Sequence, residues 1–257
     1  MVTKSGVKLK QGIGELALML KEIRSFLNSI TGYLVIVVYL LINSFLLWLF
    51  PGVFNILEGS YASIDSLFLV SPWVFMFLIP AITMRMFADE KKAGTMELLL
   101  TRPVTDMQIV LAKFSAGFIL VLFSILPTFI YYVSVYQLGN PVGNIDSGGA
   151  FGSYIGLLFL GASYVSIGVF ASSLTENQIV AFLIGVFLCL MMYIGFDQIS
   201  ELNLFGNADL FILSMGISEH YTSMSRGVLD SRDMLYFISL IIFFSLATRL
   251  VIQSRKW

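Results

Sequence analysis

Apolar residues in this chain come in long unbroken runs, not in the short alternations of strands. Six runs stand out, at about 33–50, 66–86, 109–136, 151–172, 179–196 and 234–252. About twenty apolar residues is the length at which a helix crosses a bilayer. Inside lipid the backbone must satisfy its own polar groups, which leaves helices or closed barrels. The pattern therefore predicts an all-α membrane protein of six transmembrane helices. Span 1 stops at Pro51-Gly52. Span 2 carries Pro72 and Pro80, tolerable where neighbours satisfy the freed carbonyls. Span 3 is the longest, so its first turns should project beyond the bilayer, with Lys113 snorkelling to the interface. Span 4 is rich in small residues: Gly152-x3-Gly156, then Gly161 and Gly168, predict faces for close packing, within the chain before between copies.

The segments between the runs have patterns of their own. In residues 13–30, Ile13, Leu16, Ala17, Leu20, Ile23, Leu27 and Ile30 recur at helical spacing while Glu15, Lys21, Glu22 and Arg24 keep another face polar. That is an N-terminal amphipathic helix lying in the interface plane. Residues 137–149, with Pro141 and several glycines, make a flexible connector. Thr175-Glu176-Asn177 is a very short turn between spans 4 and 5. The longest connector, Asp197–Asp233, mixes six carboxylates with Leu210-Phe211-Ile212-Leu213 and Met215-Gly216-Ile217. Short helices dipping into the outer leaflet fit that mixture, and a plain solvated loop is the other reading.

Between spans 2 and 3 the charge density rises sharply. Asp89–Pro103, D-E-K-K-A-G-T-M-E-L-L-L-T-R-P, holds six charged residues in a chain that is only 12% charged. Gly94-Thr95 reads as a break followed by a helix start, with Thr95 as N-cap. Glu97 lies in the first turn, where a negative charge suits the helix dipole. Leu98–Leu100 give an apolar surface and Pro103 limits the helix. About two turns of helix do not stand alone in water, so this one needs lipid or another protein to lie on.

Composition and charge then settle class and orientation. With 58% hydrophobic residues and mean hydropathy +0.89, the chain cannot hide its apolar surface in a soluble core. Residues 1–12 lack the apolar stretch of a secretory signal, so insertion is expected to use span 1 itself. Met19, before Leu20-Lys21-Glu22, can serve as a start codon as well as Met1. Of 15 Lys and Arg, all but Arg226 and Arg232 fall on one side if both termini are cytoplasmic, which places Asp89–Pro103 in the cytoplasm. There is no basic patch with interleaved aromatics, so no nucleic-acid partner is expected. No G-x4-G-K-[ST] occurs, hence no P-loop. The single cysteine, Cys189, lies in an apolar run and the single histidine, His220, in the outer connector. Neither suggests a catalytic or metal site. No carboxylate or cation stands near mid-span, where ion-coupled carriers place theirs.

Glu90-x3-Gly94-Thr95-x-Glu97-Leu98-Leu99, then Arg102-Pro103 and Lys113, resembles the cytoplasmic loop of ABC-2-type exporter permeases. Lys21-Glu22-Ile23-Arg24-Ser25-Phe26, Gln137–Gly143, Glu219-His220-Tyr221 and Ser225-Arg226-Gly227 make it most similar to the permease subunit of gliding-motility-associated ABC transporters. The resemblance covers residues 19–257. It implies one transmembrane domain over the chain, in a bacterial inner membrane, with a coupling-helix loop that docks on a separate ATPase. The ATP and magnesium belong to that ATPase, and no cofactor is expected on this chain. The implied coupling residues are Asp89, Glu90, Gly94, Thr95, Glu97, Arg102 and Glu176. In the interfacial helix, Lys21, Glu22 and Arg24 either anchor to lipid alone or also touch the ATPase. Related exporters place re-entrant helices between spans 5 and 6. A second permease subunit is implied, either a heteromeric partner with a periplasmic region or another copy. Two alternatives remain: a permease of another ABC-2 system, such as one serving copper-enzyme maturation, and a non-transporting component that powers an envelope machine.

In a Cys189→Ala background, cysteines in 137–149 and in 197–233 should react with an impermeant thiol reagent in intact spheroplasts. A cysteine near Lys91 or Lys256 should react only after lysis. Labelling at position 91 before lysis would overturn the topology.

Overall fold

The computed structural model describes residues 4–59, 61–96, 104–202, 206 and 209–254, with side chains from Leu16 onward except Thr31. The protein is 81% helical with no strand among these residues. Six helices are long and apolar enough to cross a membrane: Gly32–Leu49, Asp65–Lys92, Asp106–Leu138, Ser147–Leu174, Gln178–Glu201 and Ser231–Ser254. It is an all-α, multi-pass membrane protein. Span 3, at 33 residues, is about 50 Å long at the helical rise, well beyond a bilayer core of about 30 Å.

Lipid supplies no hydrophobic drive between helices, so packing and hydrogen bonds must hold them. Span 4 is the centre, with most of its length buried against spans 2, 3, 5 and 6. Its glycines explain why. A Cβ on Gly161 would lie 2.7 Å from Val121 of span 3, and one on Gly168 2.1 Å from Thr83 of span 2. Gly152 and Gly156 meet the outer connector instead, 2.4 Å from the Gly227 carbonyl and 2.7 Å from Met224. The small-residue faces are all used within the chain.

Span 2 is not one continuous helix. It comprises α3 (Asp65–Thr83) and α4 (Arg85–Lys92). Ser172 of span 4 closes the joint: its Oγ accepts from the amides of Phe87 (3.0 Å) and Ala88 (3.2 Å) and donates to the Met84 carbonyl (2.9 Å). The Phe87 amide belongs to the first turn of α4, where no intrahelical partner is available. Gly168, one turn before Ser172, is what lets span 4 come this close. At the other end of span 2, Pro72 lacks the amide that would bond the Phe68 carbonyl. Tyr221 from the outer connector donates to that carbonyl at 2.8 Å.

The N-terminal helix α1 (Lys4–Leu27) begins earlier than expected, and packs along span 3 and against span 1. Leu18, Glu22 and Phe26, four residues apart, form its buried stripe, so Glu22 faces inward and not onto the polar face. Lys113 also departs from expectation: it does not snorkel but is wholly buried. In the outer connector the structure describes two helices, Asp209–Leu213 and Ile217–Met224. The apolar Leu210 and Phe211 point away from the protein, whereas Ile217, Tyr221 and Met224 are buried in the bundle. The second helix, not the first, is the packed one.

Gly168→Val should lower stability by about 1–3 kcal/mol through overpacking against Thr83, read as thermal unfolding in detergent. Gly148→Ala, whose added methyl meets only Asp146 at 3.5 Å, should leave the transition unchanged.

Candidate functional site

The charged residues converge where α4 leaves the bundle. Asp89, Glu90 and Lys91 are consecutive, so helical geometry turns them about 100° apart and each reaches a different element. The Asp89 carboxylate accepts from the Gln178 amide at the start of span 5. Lys91 donates to the Ser173 carbonyl at the end of span 4. Glu90 lies 2.9 Å from Lys113 of span 3 and 4.0 Å from Lys21 of α1. One turn of helix thus grips four neighbours.

Lys113 is the pivot. Its ammonium donates to Glu22 Oε1 at 3.4 Å and to the Met86 carbonyl at 2.5 Å, and forms an ion pair with Glu90 Oε2 at 2.9 Å. It also sits 4.9 Å from the Phe87 ring centroid, a cation–π distance. Lys21 stands at the rim, 3.8 Å from Glu22, so two cations face two carboxylates. A buried charge costs several kcal/mol unless it is paired and hydrogen-bonded. Here the pairing joins α1, α4 and span 3 through one nitrogen. A polar cleft of about 250 Å³ opens beside it, lined by Lys21, Glu22, Ser25, Arg85, Asp89 and Glu90.

α4 ends on a glycine stop. Gly94, at φ +65°, donates to the Lys91 carbonyl (3.1 Å) and Thr95 to that of Glu90 (2.9 Å). This is the paired bonding of a Schellman cap, whose left-handed position favours glycine. The Thr95 hydroxyl adds a bond to the same Glu90 carbonyl at 3.3 Å. Thr95 therefore closes the preceding helix as well as standing just before helical Met96.

Among the residues singled out from sequence, Lys21, Glu22, Asp89 and Glu90 come together, with Gly94 and Thr95 ending the same helix. Asp89–Lys92 belong to span 2's own helix rather than to a loop. Arg24 is exposed on α1, outside the cluster. Glu176 is exposed in the turn two residues before Gln178. Glu97 and Arg102 lie outside the described residues. Three participants escaped the sequence reading: Ser172, Gln178 and the buried role of Lys113. The spacing Leu18-x3-Glu22-x3-Phe26 is the signal that places a carboxylate on a buried stripe.

The family model described as ABC-2 family transporter protein matches residues 6–252. No curated protein matches the chain.

Lys113→Met orphans two carboxylates and should cost about 3–5 kcal/mol, lowering the thermal transition of the purified protein. Adding Glu22→Gln and Glu90→Gln should recover most of that loss. If Lys113→Met alone is neutral, the cluster does not hold these helices together.

Proposed function

The chain belongs to the ABC-2 family of transporters, and we propose that it is the permease subunit of an ATP-driven exporter whose ATPase is a separate chain docking at the loop after Gly94. The observation that carries this reading is the grip of Asp89, Glu90 and Lys91 on spans 3, 4 and 5 and on α1. A push delivered to α4 is felt by several spans at once. A connector has no need of such fastening. In this reading Glu97 and Arg102 face the ATPase and Gly94 and Thr95 set the angle of the docking segment. Glu176, in the neighbouring turn, adds a second point of contact, and Lys21 and Arg24 flank it from α1.

The ATPase supplies nucleotide and magnesium. In this reading both termini and the loop face the cytoplasm of a bacterial inner membrane, an orientation that the Lys and Arg asymmetry supports. Two permeases enclose the pathway, this chain pairing with a related subunit that has a periplasmic region or with a second copy. The short motifs around Lys21, Gln137 and Glu219 resemble those of gliding-motility permeases, which supports a role of that kind. The same clamp also supports a second reading, a non-transporting component that delivers ATPase work to an envelope machine, because the clamp marks where force enters and not what is moved.

Thr95→Ala with Glu97→Ala removes a cap and a first-turn charge, about 1 kcal/mol and 0.3–1 kcal/mol of local helix stability. The double variant should reach the membrane at normal abundance yet lose the ATPase on detergent purification. Co-purification at wild-type stoichiometry with unimpaired cellular function would reduce the loop to a connector.

A further inference from the structure

The second clamp lies at the opposite end of the bundle, in Ile217–Met224. His220 Nδ1 is 2.7 Å from Asp233 Oδ1 at the start of span 6, and Nε2 is 2.9 Å from the Ser214 carbonyl. A carbonyl only accepts, so Nε2 carries a proton. The other nitrogen faces a carboxylate, so that contact too needs a proton, on Nδ1 or on Asp233. A neutral imidazole beside an ionised aspartate has one proton for two contacts, and leaves one lone pair facing another. The arrangement is complete only when the pair holds one additional proton.

The surroundings favour the same state. The Tyr236 ring stacks on the imidazole at 3.9 Å and 21°, a geometry that stabilises a cation, while its hydroxyl donates to the Met215 carbonyl at 2.7 Å. Asp197, from the end of span 5, has Oδ1 buried against Gly216 without a hydrogen-bond partner among the described residues. Glu219 is beside His220 in its own helix, Arg226 lies six residues on, and Arg232 adjoins Asp233. The His220 and Asp233 side chains are 16% and 12% exposed, so protons reach them from the solvent side.

We propose that His220 and Asp233 form a proton-held latch that fastens the helix Ile217–Met224 onto span 6. The helix has other attachments: Tyr221 to Phe68 of span 2 and the Ser225 carbonyl to Ser153 of span 4 at 2.8 Å. Loss of the proton therefore loosens its start and leaves its end seated. The sign is fixed by the count: the latch is made at low pH and opens as rising pH removes the additional proton. On the orientation argued above, this end faces outward, and external pH sets the latch.

A spin label on Ser218→Cys in a Cys189→Ala background, in the full chain in nanodiscs, reports the start of the helix from about pH 5 to 8, the span in which an unperturbed histidine changes charge. The label should be immobilised at low pH and gain a mobile component as pH rises. His220→Ala should show that component at every pH. Asp233→Asn replaces the carboxylate with an amide that donates to a neutral imidazole, so the label should stay immobilised throughout. A wild-type spectrum unchanged across the range, or a transition that survives either substitution, overturns the latch. Neither readout depends on an ATPase or on transport, so failure here and failure of the exporter reading are separate results.

Discussion

A single ammonium group organises the end of the molecule where α1, span 2 and span 3 meet. Lys113 is wholly buried, and an apolar residue in its place would leave Glu22 and Glu90 with only the exposed Lys21 at the rim. That constraint dictates the rest. α1 must lie on span 3 so that Glu22 can reach the nitrogen, which is why its buried stripe contains a carboxylate. α4 must continue past the bulk of span 2 so that Glu90 can reach it from the other side. The joint at Met84 then needs its own closure, and Ser172 supplies it from span 4. The energy scale agrees: one hydrogen bond between membrane helices contributes about 0.6 kcal/mol on average, whereas orphaning a buried charge costs several.

Spans 2 and 4 connect the two ends. Span 2 bears the hinge clamp at one end and, at the other, the Phe68 carbonyl that Pro72 frees and Tyr221 takes. Span 4 meets α4 through Gly168 and Ser172, and meets the outer helix through Gly152, Ser153 and Gly156. A displacement of α4 thus has two packed routes to the outer helix. Packed interfaces of this kind move between discrete arrangements rather than deform continuously.

The six spans were legible because lipid demands long apolar runs and punishes interruptions, and the observed helices extend each predicted run by at most a few residues at most ends. The small-residue faces of span 4 were legible for a related reason, since only glycine permits the approaches seen at Gly161 and Gly168. The clamp was legible only in part. Asp89 and Glu90 declared themselves by charge density, but Lys113 looked like an interfacial lysine because a run of sequence does not reveal which carboxylates fold over it. Ser172 and Gln178 were invisible: a hydroxyl and an amide among many, made specific only by a break in a different helix. His220 was discounted as a lone histidine, and its partners lie on a preceding turn and a following span, which no spacing rule joins.

The central claim is that the Lys113 cluster carries motion from the hinge to the outer helix. Electron–electron distance measurements between labels at Thr222 and at Leu138, an exposed residue at the outer end of span 3, test it in the permease–ATPase complex with and without ATP. ATP should shift the distance distribution in the wild type. The shift should vanish in the charge-free cluster made by Lys113→Met, Glu22→Gln and Glu90→Gln, with the ATPase still bound. A full shift in that variant would contradict the account.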